Sequence, residues 1–214
     1  MSLLSYNELC ELVEQGVITN VKPEQINASS IDLTLGDKIL VERNDTAKAL
    51  YVSLHNREPL LMKEYELTEE KYLIFLQPNE FCLAHTQQVF NLPPDISAEY
   101  KLKSSMARIG LEHLNAGWCD AGWNGSVLTL ELKNMTRYHT IELQRGTAIG
   151  QIVFFKHSLV PPTKSYAARG RYNNDKTVTS AKKSPFANSQ VLDEPEQLPL
   201  PFEKDAPNYT KVED

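Results

Sequence analysis

The chain has 214 residues, of which 41% are hydrophobic and 23% charged, and its formal net charge is −6. That length suits one well-buried domain plus an appendage and is short for two. The acidic balance argues against general affinity for nucleic acid or anionic membrane, and leaves only a local basic pocket for a phosphorylated small molecule.

Cys10, Cys82 and Cys119 are odd in number and far apart, with no C-x-x-C pair, which fits a reduced cytosol rather than an oxidising compartment. The longest apolar runs, such as YLIFL at 72–76, have the length of a core strand and fall far short of the ~20 residues of a membrane span. The first residues lack a basic stretch followed by an apolar one, so no signal peptide is read there. A soluble, cytoplasmic protein is expected.

The first predicted element is a helix. Ser5 stands as N-cap, Glu8 completes a capping box, Leu4 and Leu9 are spaced as a hydrophobic staple, and Gly16 stops the helix. The pattern then changes to period two in SIDLTLGDKILVE, where Ile31, Leu33 and Leu35 face one way and Asp32 and Thr34 the other. Strands are predicted over 38–42, 73–76, 80–89, 97–102, 126–132, 140–142 and 149–156, separated by QPNE, NLPPD, WNGS and QRGT. Residues 43–71 are charged and weakly periodic and read as a long surface excursion. Many short strands with Gly, Pro and Asn turns predict a mainly β fold, a barrel or double sheet with one or two short helices. From 181 the chain turns Pro-rich and acidic, with seven acids against four lysines and no apolar period; alone, such a segment is disordered.

Three stretches between 104 and 131 carry chemistry. In KSSMARIG, Ser104 or Ser105 as N-cap leaves free N–H groups at a positive helix end, a ready site for a phosphate. Arg108 lies one turn after Ser104, so hydroxyl and guanidinium share a face, and Lys103 adds a mobile positive charge. The same stretch equally describes an ordinary capped helix with a surface arginine. In SVLTLELKN, Leu128, Leu130 and Leu132 share one strand face, and Val127, Thr129 and Glu131 the other. A carboxylate partly enclosed there has its pKa raised by desolvation toward that of a useful general base; left in solvent it is an ordinary strand glutamate. In NAGWCDAGWNGS, Asn124-Gly125 is a two-residue hairpin signal. Gly117 and Gly122 permit close approach of backbone or of a flat ligand. Asp120, between Trp118 and Trp123, either accepts from a sugar hydroxyl or a water, or caps the turn.

Absent signals narrow the chemistry further. None of His55, His85, His113, His139 and His157 begins His-x-Glu, and no C-x-x-C exists, so the ligand pattern of zinc nucleobase deaminases is missing. Nor is there a GxxxxGK[ST], GxSxG or GxGxxG motif. Hydrolytic chemistry on this chain activates water by a carboxylate.

KSSMARIGL and AGWCDAGWNG, together with INASSIDLTLG, QPNEFCLAHT, LTLELKN and IGQIVFF, resemble the dCTP deaminases, which share a superfamily with the trimeric dUTPases. The similarity runs from about residue 4 to 180. It implies a distorted β-barrel or double sheet of the dUTPase-like type, a homotrimer with each active site built from neighbouring subunits, and zinc-independent hydrolysis of dCTP to dUTP and ammonia. On that resemblance Glu131 matches the general base for the water attacking C4 of cytosine. Ser104 and Arg108 match the pair that positions this water and stabilises developing charge, and Lys103 and Ser105 match phosphate contacts. Asp120 matches the aspartate at the deoxyribose 3′-hydroxyl, Gln151 a triphosphate contact, and Ala116 a further substrate-binding position. Tyr166 and Gly170 to Tyr172, with Arg171 where lysine is usual, match the segment that closes over the nucleotide. The implied division is a nucleotide-binding β domain over 1–165, a closing segment over 166–180 and a tail over 181–214. Mg2+ is held by the triphosphate and water rather than by a protein cage. The implied ligands are dCTP and dUTP, with dTTP as a candidate inhibitor, and no nucleic acid or membrane partner.

The chain departs from the family pattern in four further places. It has one residue fewer between Arg108 and Asp120 and one more between Asp120 and Glu131, so the total is kept; this implies a rebuilt turn with a bulge before Glu131. Ala121 replaces the usual proline. Asp175 stands where glutamine is expected, and an acid near a triphosphate calls for compensation by Lys176 or magnesium. The tail has no counterpart. Three functions fit: deamination, with or without a second hydrolysis to dUMP and diphosphate; dUTPase activity alone; and a nucleotide-binding regulator of the same fold. Against the dUTPase stand the turn DAGWNG, unlike the family's Asp-x-x-Tyr-Arg-Gly type, and a Glu131 without purpose.

Overall fold

The computed structural model describes residues 2–43, 52 and 59–182. The tail beyond 182, and 44–51 and 53–58 of the expected excursion, lie outside the described residues. The short strand β1 (Ser2–Leu3) leads into α1 (Tyr6–Glu14). Helix α1 begins where the capping signals place it. The Glu8 carboxylate accepts from the Ser5 N–H at 2.8 Å and from the Ser5 hydroxyl at 2.9 Å, and Leu4 and Leu9 are both buried.

The chain continues through β2 (Ile18–Thr19), β3 (Ile31–Thr34), β4 (Lys38–Glu42), β5 (Met62–Glu66), β6 (Leu73–Leu76), β7 (Phe81–Asn91) and β8 (Ile96–Leu102). Helix α2 (Ser104–Arg108) interrupts the strands before β9 (Leu111–Glu112), β10 (Trp118–Cys119), β11 (Asn124–Asn134), β12 (Ile141–Gln144) and β13 (Ala148–Lys156). A last helical turn, α3 (Tyr166–Arg169), follows. One sheet has the order β1-β13-β8-β10 with β3 also on β13, the other β5-β4-β7-β11-β9 with β2 also on β7, and β12 pairs with β6. Inward residues of these sheets, such as Leu33, Ile39, Leu76, Leu132 and Phe154, form one core. The mainly β double sheet is as expected; among the described residues the strand orders do not close into a barrel. Among the described residues no helix is long and apolar enough to cross a membrane.

Strand β5 corrects the expected excursion, for it pairs with β4 along its whole length. It is an edge strand with Lys63, Glu64 and Glu66 in it, and charges that protect an edge also hide its period.

The pairing of β7 with β11 sets up the site. Its register shifts between Asn124 and Ser126 and again between Val127 and Thr129. Asn124-Gly125 is therefore a bulge and not the expected hairpin turn, with Gly125 at φ +65° as the extra residue. A hairpin is ruled out there because the preceding strand, β10, pairs with β8 instead of β11. The tight turn lies just before, where the Trp123 N–H donates to the Asp120 carbonyl at 3.1 Å and Gly122 takes φ +87°. At the second shift Thr86 to Gln88 of β7 stand opposite Leu128, whose N–H donates to the Thr86 hydroxyl at 3.0 Å. The irregularity expected before Glu131 is thus present. Beyond it the ladder is regular, with Glu131 opposite Leu83, so Leu130 and Leu132 enter the core and Glu131 faces away.

Candidate active site

The chain gathers its chemical residues in two places. The first surrounds α2. A register shift in β13 between Ala148 and Gly150 leaves the Ile149 carbonyl to accept the Lys103 N–H at 3.1 Å. Lys103 is thereby held extended and becomes the N-cap, so Ser104 and Ser105 are the first helical residues rather than the caps expected of them. Nor is Lys103 a mobile charge. Its Nζ lies 2.6 Å from Asp32 Oδ2, and Asn27 Nδ2 donates to the other oxygen of Asp32 at 3.0 Å. Gln151 faces Asp32 across β13 and β3, and its Oε1 accepts from the Ser30 hydroxyl at 3.4 Å. Ser104, Ser105 and Arg108 are exposed.

The second place is a cavity of about 610 Å³ on the outer face of β7 and β11. Phe81, Leu83 and Met62 give it an apolar floor, and Thr129 and Glu131 follow on β11. One wall is the stretch from Ala116 through Trp118 and Asp120 to Trp123, and the other is Tyr166, Tyr172 and Thr179 to Ala181. Burial holds the Glu131 carboxyl well above its ordinary 4.5, at about 7. Asp120 accepts from the Trp118 indole N–H at 2.9 Å, and the Trp118 ring in turn stacks on Phe155 with centroids 6.2 Å apart. Burial also raises the Tyr166 phenol, and pushes the Cys119 thiol up to about 12, which leaves Cys119 a packing residue rather than a nucleophile.

The close approaches that two glycines permit are to the protein itself. A Cβ on Gly117 would stand 2.8 Å from the Tyr100 carbonyl oxygen, and one on Gly122 would stand 1.8 Å from Ser165 Oγ. The second contact seats α3 on the turn, where the Tyr166 N–H donates to the Ala121 carbonyl at 3.0 Å.

Residues after α3 lie along β11. The Tyr172 carbonyl accepts from Trp123 Nε1 at 2.8 Å and from the Ser126 hydroxyl at 2.9 Å, and the Val127 N–H donates to the Asp175 carbonyl at 2.9 Å. Arg171 is turned to the Lys182 carbonyl, 3.1 Å away, and does not line the cavity. The charge opposite Asp175 is Lys182, at 2.8 Å, rather than Lys176.

Of the residues singled out in the sequence, Glu131, Asp120, Ala116 and Tyr166 share the cavity, whereas Lys103, Ser104, Ser105, Arg108 and Gln151 lie at or beside α2. Sequence reasoning missed the hold of Trp118 on Asp120 and the floor of Phe81 and Leu83. Period two along β7 would have put those two on one face.

Residues 3–157 match the family described as dCTP deaminase-like. The protein named "dCTP deaminase, dUMP-forming" from Aquifex aeolicus is 32% identical over 182 residues, covering 84% of this chain and 94% of the relative. The protein of that name from Methanospirillum hungatei is 34% identical over 151 residues, covering 69% and 78%. The solved 2′-deoxycytidine 5′-triphosphate deaminase from Agrobacterium tumefaciens matches with a TM-score of 0.57 and 21% identity, over 76% of this chain and 50% of that one. This chain spans half the length of that structure's chain, and the likeness is one of fold. The architecture is thus a double sheet of the kind a deoxycytidine triphosphate deaminase is built on. By the family match and the identities to its relatives, the chain belongs to the dCTP deaminase-like family.

Proposed function

We propose that this chain deaminates dCTP hydrolytically and carries the product on to dUMP and diphosphate. The observation that carries the proposal is Glu131, a carboxyl with a pKa of about 7 set in a cavity beside Asp120 and Tyr166. Near neutral pH such a group is present in both forms, so it takes a proton from the water that adds at C4 and returns one to the departing ammonia. Zinc is not used in this scheme, and magnesium arrives with the triphosphate as part of the substrate. The two relatives named "dUMP-forming" support the second hydrolysis.

The exposed Ser104 and Arg108 complete the site from a neighbouring copy in a homotrimer, where Arg108 stabilises the charge that develops on the ring as water adds. Lys103, Ser105 and Gln151 take the triphosphate, Arg171 being engaged with the Lys182 carbonyl, and Asp120, oriented by Trp118, takes the 3′-hydroxyl. Residues 1–165 form the binding body, and 166–180 close it. dTTP, with the same sugar and triphosphate, competes for the cavity.

The test is incubation of the purified protein with dCTP, Mg2+ and a zinc chelator, following ammonia and nucleotides. Ammonia with dUMP and diphosphate supports the proposal. Accumulation of dUTP removes the second step, turnover of supplied dUTP alone makes the chain a dUTPase, and binding without turnover makes it a regulator. A Glu131→Gln protein that deaminates at the normal rate sinks the mechanism.

A further inference from the structure

We infer that Asp175 and Lys182 are positioning residues, a pair that locks the chain after α3 into a closed loop and so fixes the wall over Glu131. The inference rests on the reading of the cavity as the nucleotide site. Lys182 Nζ lies 2.8 Å from both carboxylate oxygens of Asp175 and donates to the Arg171 carbonyl at 2.7 Å. Arg171 returns the bond, its guanidinium donating to the Lys182 carbonyl at 3.1 Å, and the Lys182 N–H donates to the Tyr172 hydroxyl at 3.2 Å. The loop is therefore stitched at its two ends by reciprocal bonds, with the ammonium at their centre and 4.9 Å from the Tyr172 ring. The Thr179 hydroxyl donates to Asp175 Oδ2 at 3.2 Å, tying the far limb to the same carboxylate.

The two limbs are held to β11 very differently. At the near limb the Asn174 N–H donates to the Asn124 carbonyl at 3.0 Å, the Val127 N–H to the Asp175 carbonyl at 2.9 Å, and the Asp175 N–H to Ser126 Oγ at 3.2 Å. At the far limb, among the described residues, the bond to β11 is the Thr179 N–H to Thr129 Oγ1, at 3.4 Å. Val178 is buried and anchors that limb by apolar contact. Beyond it Thr179, Ser180 and Ala181 line the cavity, and the ion pair, with the bonds of Lys182 to Arg171 and Tyr172, ties them back. Asp175 and Lys182 side chains are 17% and 35% exposed, so the pair is partly withdrawn from water and stronger than a surface one. Neither residue lines the cavity. Their effect reaches the nucleotide through the wall they hold.

The test uses the full-length chain with Lys182→Met, which keeps an unbranched stem of similar length and removes the charge, Lys182→Arg, which keeps charge and donors, and Asp175→Asn. Without nucleotide, amide hydrogen exchange at Thr179 is expected to rise roughly tenfold in Lys182→Met and Asp175→Asn and to stay near wild type in Lys182→Arg. With dCTP, KM is expected to rise roughly tenfold in the first two while kcat changes less than about threefold, and Lys182→Arg restores KM. Unchanged exchange in Lys182→Met overturns the lock. Raised exchange with unchanged KM overturns the positioning role. If wild type does not turn over dCTP, the functional reading fails, and the exchange measurement still decides the lock.

Discussion

Glu131 destabilises the fold it serves. With a pKa of about 7 folded and 4.5 unfolded, it binds more protons in the folded chain between those values. Stability therefore falls as pH rises from about 4.5 to about 7, and the loss stays constant above. Glu131→Gln is predicted to abolish deamination yet raise unfolding free energy at pH 8 by about 2–3 kcal/mol, with little gain at pH 4, as read by denaturant titration. If Glu131 is the base, wild-type deamination is predicted to rise with pH through about 7, where its carboxyl ionises. Tyr100 carries a second local cost, a buried hydroxyl without a hydrogen-bond partner among the described residues. Its ring packs edge-on against His113 at 5.0 Å and over Gly150, contacts that phenylalanine keeps. Tyr100→Phe is predicted to raise stability by about 1 kcal/mol; a fall in melting temperature would mean that the hydroxyl finds a partner in the assembled protein.

Among the elements, the turn Asp120 to Trp123 joins the strand carrying Glu131 to the helix carrying Tyr166. Gly122 holds both a positive φ and the contact with Ser165, whose hydroxyl also accepts the Ala167 N–H at 3.3 Å as cap of α3. Gly122→Ala is predicted to lower stability by about 2 kcal/mol or more and to raise KM for dCTP more than it lowers kcat, in thermal unfolding and steady-state kinetics. Elements fixed by neighbouring residues were legible in the sequence. Helix α1 follows from Ser5, Glu8 and the two leucines, and β4 and β6 have the bounds their apolar alternation marks. The facing of Glu131 was legible too, since alternation survives a bulge upstream of it. Elements fixed by distant partners were not. The start of α2 is set by a carbonyl freed in β13, Asn124-Gly125 reads as a turn until β10 is seen to pair elsewhere, and β5 exists because β4 has an edge to fill. In each case the deciding atom lies on another strand.

At the scale of the whole molecule, one chain assembles Glu131, Asp120, Ala116 and Tyr166 and holds Ser104 and Arg108 outside that cavity. If neighbouring copies complete each other, Glu131→Gln and Arg108→Ala proteins, each inactive alone, regain about a quarter of wild-type deamination when refolded together in equal amounts. That is the share of sites receiving one native residue from each. No recovery would place both residues in a site made by one chain. The chain has only two tryptophans, and both wall the cavity. Trp118 is 56% exposed and bonded to Asp120, whereas Trp123 is 6% exposed and bonded to the Tyr172 carbonyl. The protein's tryptophan emission thus comes entirely from its cavity, from one wet ring and one dry. In a Trp118→Phe background Trp123, the remaining tryptophan, is an unlabelled optical gauge of whether residues near Tyr172 are seated or lifted.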